Sequence, residues 1–192
     1  MKDVDIQALK ILSDIAETTF RTRKSTISRI EASNFSEEAK ADFKREVVKP
    51  LDNTLNYISD NIQITLIHIP IYNFFLKQQD GVNMYDAAQI ISILKNIDDF
   101  SNFGNLISYA GFVPRSKNYN KKLHKLLQRL GYKLISQNPQ YRFIYKMSIE
   151  KYTKQHPNYS KEHIENMAKR IVVKKFLKNL YFSWNQINRD DV

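Results

Sequence analysis

Apolar residues recur along this chain at the three- and four-residue spacing of helices, with little of the two-residue alternation of strands. Ile6, Leu9, Ile11, Leu12 and Ile15, then Ile27 and Ile30, mark a first helical stretch, and SNFSEE at 33–38 interrupts it with a plausible cap. Phe43, Val47, Leu51, Leu55, Ile58, Ile62, Leu66 and Ile69 follow close to the 3.5-residue period of a coiled coil, so the two stretches predict an antiparallel helical hairpin. Pro50 lies inside the second arm, where a missing N–H and a clash with the preceding turn predict a break or kink; Pro70 is expected to end that arm. Ile62, Ile64 and Leu66 also alternate with polar residues, which leaves a strand to Ile69 open, although no second convincing strand exists to pair with it.

After the QQDG turn at 78–81, short helices are predicted over 85–94 and 102–110, separated by NIDDF. Beyond Pro114 come three more, over about 117–136, 140–154 and 161–186, with breaks at Asn138–Pro139 and Pro157–Ser160. The fold class is therefore all-α: a long helical hairpin over residues 1–77 and a compact basic helical domain over 78–192.

Charge separates the two parts. Residues 115–178 carry 17 Lys or Arg against 3 acids, whereas residues 1–114 carry 12 against 15. That asymmetry points to nucleic acid or another anionic surface. A membrane is not expected, since no run of about 18 apolar residues exists and the first ten residues lack a signal-peptide core. A cytoplasmic, nucleoid-associated location follows as the expectation. With no Cys, and four His at 68, 124, 156 and 163 in no zinc-like spacing, neither a metal nor a cofactor is expected. Four glycines leave little room for a glycine-rich phosphate loop.

The helix from Lys117 carries the sharpest pattern. Tyr119, Leu123, Leu126, Leu127, Leu130 and Leu134 share one face, and Lys117, Lys121, Lys125, Arg129 and Lys133 form an i, i+4 stripe on the other, with Arg115 and Lys122 beside it. A solvated helix face usually pairs its lysines with acids one turn away, and no acid occurs between Asp99 and Glu150. The stripe therefore reads as a surface for anions. Asn120 and His124 could add hydrogen bonds to a phosphate or a base edge, against the plainer reading of ordinary helical residues. A second basic cluster, Lys169, Arg170, Lys174, Lys175 and Lys178, lies among Ile171, Val172, Val173, Phe176, Leu177, Leu180, Tyr181 and Trp184. No single face there is wholly apolar, so this helix is expected to pack on more than one side. Tyr141, Phe143, Tyr145, Tyr152 and Trp184 either stack on single-stranded bases or, as aromatics at helical spacing ordinarily do, fill a small core.

Four blocks in order resemble the C-terminal part of transposases of the insertion sequence 110/116/902 family. They are QDGVNMYDAAQIISILKNIDDFSNF at 79–103; Leu106, Tyr109, Ala110, Gly111, Phe112 and Pro114; Ser116, Lys117, Asn120, Lys121 and Leu123; and AKRIVVKKFLKNLYFSW at 168–184. Matches run from about Asp3 to Gln186. The resemblance implies a coiled coil followed by a helical transposase domain, with DNA and a guide RNA as partners. The near-heptad row from Phe43 to Ile69 leaves more apolar surface than the arm from Ile6 to Ile30 covers, so a homo-oligomer formed through the hairpin is expected. Family members cleave strands with an acidic tetrad and a serine nucleophile. Asp5, in DVDIQALKIL, stands where the resemblance implies the last tetrad acid, but a lone carboxylate cannot hold two metal ions, and the reading that describes it here is a helix N-terminal acid favoured by the dipole. Asn83 and Tyr119 stand at family glycine positions, and only Arg115 separates Pro114 from Ser116, where the family inserts the loop bearing its nucleophile. Ser116, the one candidate nucleophile, aligns with a later noncatalytic serine. The expectation is a truncated or domesticated transposase that binds nucleic acid and self-associates without strand cleavage of its own. Two alternatives stand beside it: an active transposase completed in trans by a separate nuclease-like domain, and a structural module whose basic face meets an acidic protein.

Overall fold

The computed structural model describes residues 3–114 and 118–190. Among the described residues every regular element is helical and no strand occurs, so the protein is all-α. The chain divides into two compact units, Met1–His68 and Ile69–Val192.

The first unit is a helical hairpin. Helix α1 (Asp3–Glu31) packs along α3 (Lys49–Leu66), and the short α2 (Glu37–Phe43) turns the chain between them. Ser36 starts α2 by accepting a hydrogen bond from the Ala39 N–H at 3.2 Å. Leu9, Ala16 and Ile30 of α1 and Leu55, Ile58 and Ile62 of α3 are buried. Ion pairs Arg23–Asp52 and Lys44–Glu31 (2.7 Å) tie the arms across the hairpin. The open question of a strand before Ile69 is resolved as helix to Leu66.

Pro50 does not break the second arm. The turn before it, Lys44–Val48, widens into a π-helix in which the Lys49 N–H bonds the Lys44 carbonyl five residues back. A straight α-ladder would drive the Glu46 carbonyl into the proline ring; the wider turn makes room and the helix continues. The near-heptad row is covered only in part. Leu55, Ile58 and Ile62 are buried, whereas Phe43 and Val47 of the row stay exposed, as do Val4 (74% exposed), Ile11 and Ile15 on α1 and Tyr57 and Ile64 on α3.

The second unit is built around one long helix. In order come α4 (Pro70–Phe74), a 3₁₀ turn Leu76–Gln78, α5 (Met84–Leu94), a 3₁₀ turn Ile97–Asp99, α6 (Phe103–Tyr109), α7 (Lys121–Gln137), α8 (Pro139–Gln155) and α9 (Lys161–Asp190). Helix α9 packs against α4, α6, α7 and α8, which is why its apolar residues occupy no single face. Val172, Val173, Phe176, Leu177, Leu180 and Trp184 are all buried along it. The Phe176 ring meets Phe75 at 5.8 Å and Tyr141 at 6.3 Å. These contacts place the segment from Ile69 with the second unit, whereas the sequence pattern grouped it with the hairpin up to residue 77.

Helix α7 begins at Lys121, later than the leucine periodicity suggested, because Asn120 caps it. The Asn120 side chain accepts from the Leu123 N–H at 2.9 Å, and its own N–H bonds the Tyr109 carbonyl at 2.8 Å. Tyr119 consequently lies before the helix and folds onto Gly111. Gly111 has φ +75°, and a Cβ there would fall 2.6 Å from the Tyr119 ring and 2.9 Å from His124 Nδ1, so only glycine fits this turn.

Candidate nucleic-acid interface

Helix α7 divides as its pattern indicates. Leu123, Leu126, Leu127, Leu130 and Leu134 are buried, and Lys121, Lys122, Lys125 and Arg129 are exposed. The stripe is not, however, without acids. Asp86 of α5, only 2% exposed, lies 2.6 Å from Lys133 Nζ and 3.1 Å from Arg129 Nη2. The countercharge comes from another helix, 43 and 47 residues away in sequence, and an i, i+4 search along α7 cannot find it. Lys133 is thereby committed to holding α5 against α7. Arg129 remains 56% exposed, and with five N–H donors it keeps capacity for a second acceptor. Lys121 and Lys125 have no ion-pair partner among the described residues.

Two expected readers are instead structural. His124 has Nδ1 at 3.0 Å from the Ala110 carbonyl oxygen, and its ring packs between Phe112 (4.9 Å) and Tyr119 (5.0 Å). Asn120 spends its carbonyl on the α7 cap and its amide on the Tyr109 hydroxyl at 2.7 Å. Both fix the α6–α7 corner rather than face a ligand.

The second cluster also separates. Lys169 is 6% exposed: its Nζ donates to the Tyr132 hydroxyl at 2.8 Å and to Asn166 Oδ1 at 3.2 Å, 3.9 Å from the Tyr132 ring centroid. It is therefore no contact for a phosphate backbone. Lys174 is half-buried, and desolvation, with Arg170 adding repulsion, lowers its pKa. Arg170, Lys175 and Lys178 remain exposed, Lys178 lying 5.9 Å over the Phe182 ring. Arg115, Ser116 and Lys117 lie outside the described residues.

Of the aromatic set, Tyr141 (2% exposed) and Trp184 (4%) are core, and burial pushes the Tyr141 phenol pKa up. Phe143 is 65% exposed on α8. The outer face of that helix adds three basic residues outside both sequence clusters: Lys146, Lys151 and Lys154 stand exposed there with Phe143 and Met147. Arg142 is exposed too, and its guanidinium donates to the Ile135 carbonyl at 3.1 Å and to the Ser136 carbonyl, closing the end of α7. Basic and apolar residues share that one face at helical spacing, so no stripe of lysines alone stands out from the sequence.

Among the described residues, no group of three or more His, Cys, Asp or Glu converges to hold a metal ion, and no helix is long and apolar enough to cross a membrane. Asp5 lies half-buried in the first turn of α1. No protein-family model, curated protein or solved structure matches the chain.

Proposed function

We propose that the second unit binds the sugar–phosphate backbone of nucleic acid in a transposase-like protein, and that the hairpin pairs with a second copy. The observation that carries the first part is the excess of 17 basic over 3 acidic residues in 115–178, with Lys121, Lys125, Arg170, Lys175 and Lys178 exposed. The four sequence blocks support a setting in DNA transposition or recombination, with DNA or a guide RNA as ligand. A chain that neutralises about five phosphates releases as many counterions, so duplex affinity should fall about five-hundredfold between about 50 and 200 mM salt. Fluorescence anisotropy on unrelated duplexes measures it; a flat salt response would sink the reading and favour the acidic-protein partner instead.

The self-association part rests on apolar side chains left outside the hairpin core, Val4, Ile11 and Ile15 on α1 and Tyr57 and Ile64 on α3. Ile11→Lys with Ile64→Lys is expected to give monomers that keep full helicity. Leu55→Asp with Ile62→Asp places carboxylates in the hairpin interior, at a cost of about 4 kcal/mol or more, and should unfold it. Light scattering and circular dichroism on both variants check the pair; a wild-type chain that is monomeric at tens of micromolar overturns it.

A further inference from the structure

A cavity of about 150 Å³ opens between α7, α8 and α9 of the second unit, partly open to solvent, and the backbone contacts proposed above do not use it. Its walls are Tyr132 and Ile135 from α7 and Tyr145 from α8; α9 supplies Glu162, Glu165, Asn166 and Lys169. A cavity of about this volume holds a single benzene ring, so one planar heterocycle can enter with its far edge left in solvent.

The lining is unusual for its surroundings. Residues 115–178 contain three acids, and two of them, Glu162 and Glu165, line this one cavity. On a phosphate-binding surface a carboxylate repels the backbone; Glu162 lies in the first turn of α9 and Glu165 stands 3.9 Å from Lys161, an open pair that leaves both carboxylates acceptor capacity toward the cavity. Beside them lies the buried Lys169 ammonium, which has spent two of its three N–H groups on Tyr132 and Asn166 and has one donor left. The Tyr145 phenol, whose pKa burial, Glu165 and Tyr132 raise, offers a further donor. An anionic ligand would be repelled by the two carboxylates, and the free donor of Lys169 calls for an acceptor, which a purely cationic ligand does not carry. The fitting occupant is neutral, planar, and carries donors and acceptors along one edge.

Guanine matches this most closely. Its N1–H and N2–H₂ groups are adjacent donors that one carboxylate accepts together, and its O6 is an acceptor for an ammonium; cytosine and adenine offer a single donor group to a carboxylate, and thymine one N–H. Inside a duplex that edge is paired, so the base must come from a single strand, as in other readers that stack an unpaired base on aromatic rings and bond its Watson–Crick edge. We propose that this cavity receives one unstacked guanine of a single-stranded nucleic acid, with Glu162 and Glu165 accepting from its donors and Lys169 donating to O6. The inference rests on the nucleic-acid reading above.

The test uses the full chain and oligothymidylate carrying one central dG, dA or dC, with all-dT as the reference, read by fluorescence anisotropy at fixed salt. A carboxylate that takes two donors discriminates by about tenfold or more, so the dG oligomer should bind at least tenfold tighter than all-dT. Glu162→Gln with Glu165→Gln should bring the dG oligomer to the all-dT level without weakening all-dT. If that double variant loses helicity, Glu162→Gln alone, at an exposed position, should still lower the dG preference severalfold without weakening all-dT. Equal affinity for all four oligomers, or a dG preference that survives the glutamine changes, overturns the proposal. Failure of every oligomer to bind defeats the nucleic-acid reading itself, whereas all-dT binding without base preference defeats only the guanine site. Glutamate-dependent binding of agmatine in place of a dG preference would mark a guanidinium site and overturn it as well.

Discussion

Asp86→Ala is expected to lower the melting temperature of the second unit by about 10 °C and, at the same time, to tighten its binding to nucleic acid. The Asp86 carboxylate is 2% exposed and holds Lys133 at 2.6 Å and Arg129 at 3.1 Å. It also stands in the first turn of α5, where the helix dipole favours a negative charge. Its removal leaves two cations side by side without a countercharge. A fully buried pair so broken loses about 3–5 kcal/mol. Arg129 and Lys133 are 56% and 30% exposed and recover part of that by hydration, which brings the expected loss to about 2–3 kcal/mol. For a unit of this size each kcal/mol shifts the melting point by about 4 °C. Asp86→Asn keeps the shape and some hydrogen bonding and should lie between alanine and wild type. Thermal melts followed by circular dichroism check the first half, and a shift under about 3 °C would show that the pair contributes little. The second half separates an electrostatic role from a merely structural one. Releasing Arg129 and Lys133 to phosphate should strengthen binding severalfold at low salt, whereas simple loss of structure would weaken it.

Periodic apolar residues made the helices legible, and what they could not show was always a partner from elsewhere in the chain. The leucines of α7 lie on the buried face as their spacing implies, yet the helix starts at Lys121 because the Asn120 side chain competes for the first N–H groups, a choice that spacing does not record. Pro50 carries a strong local signal for a break. The π-turn at Lys44–Val48 absorbs it, because packing of α3 along α1 rewards a continuous arm. Applied to the candidate interface, the same local rule overreaches. Lys133 is claimed by Asp86 and Lys169 by Tyr132 and Asn166, while His124 and Asn120 build the α6–α7 corner. Residues 115–178 do carry the basic excess, but which of those charges face solvent depends on contacts made across helices. The α8 lysines show the converse: they are exposed, and no stripe announced them.

The charge-reversal experiment follows from that sorting. Lys121→Glu with Lys125→Glu should weaken duplex binding by about two orders of magnitude near physiological salt, because two phosphate contacts become two repulsions, and should lower the salt slope by about two. Neither residue holds another element in place: both lie on the exposed face of α7 with no ion-pair partner among the described residues. The melting temperature should stay within a degree or two of wild type. Arg129→Glu would mislead here, since it sets a carboxylate against the buried Asp86 and weakens the α5–α7 packing before any ligand is involved. Arg129→Gln is the appropriate neighbour variant, with a loss of a few fold. Reversing Arg170 and Lys178 on α9 tests whether that helix meets the same strand. If both helices contact one ligand, the two double reversals together should abolish measurable binding, with effects that add for contacts far apart. Unchanged affinity in the Lys121 and Lys125 variant, with an intact melt, would show that α7 presents a solvated face and that the basic excess of this unit acts elsewhere.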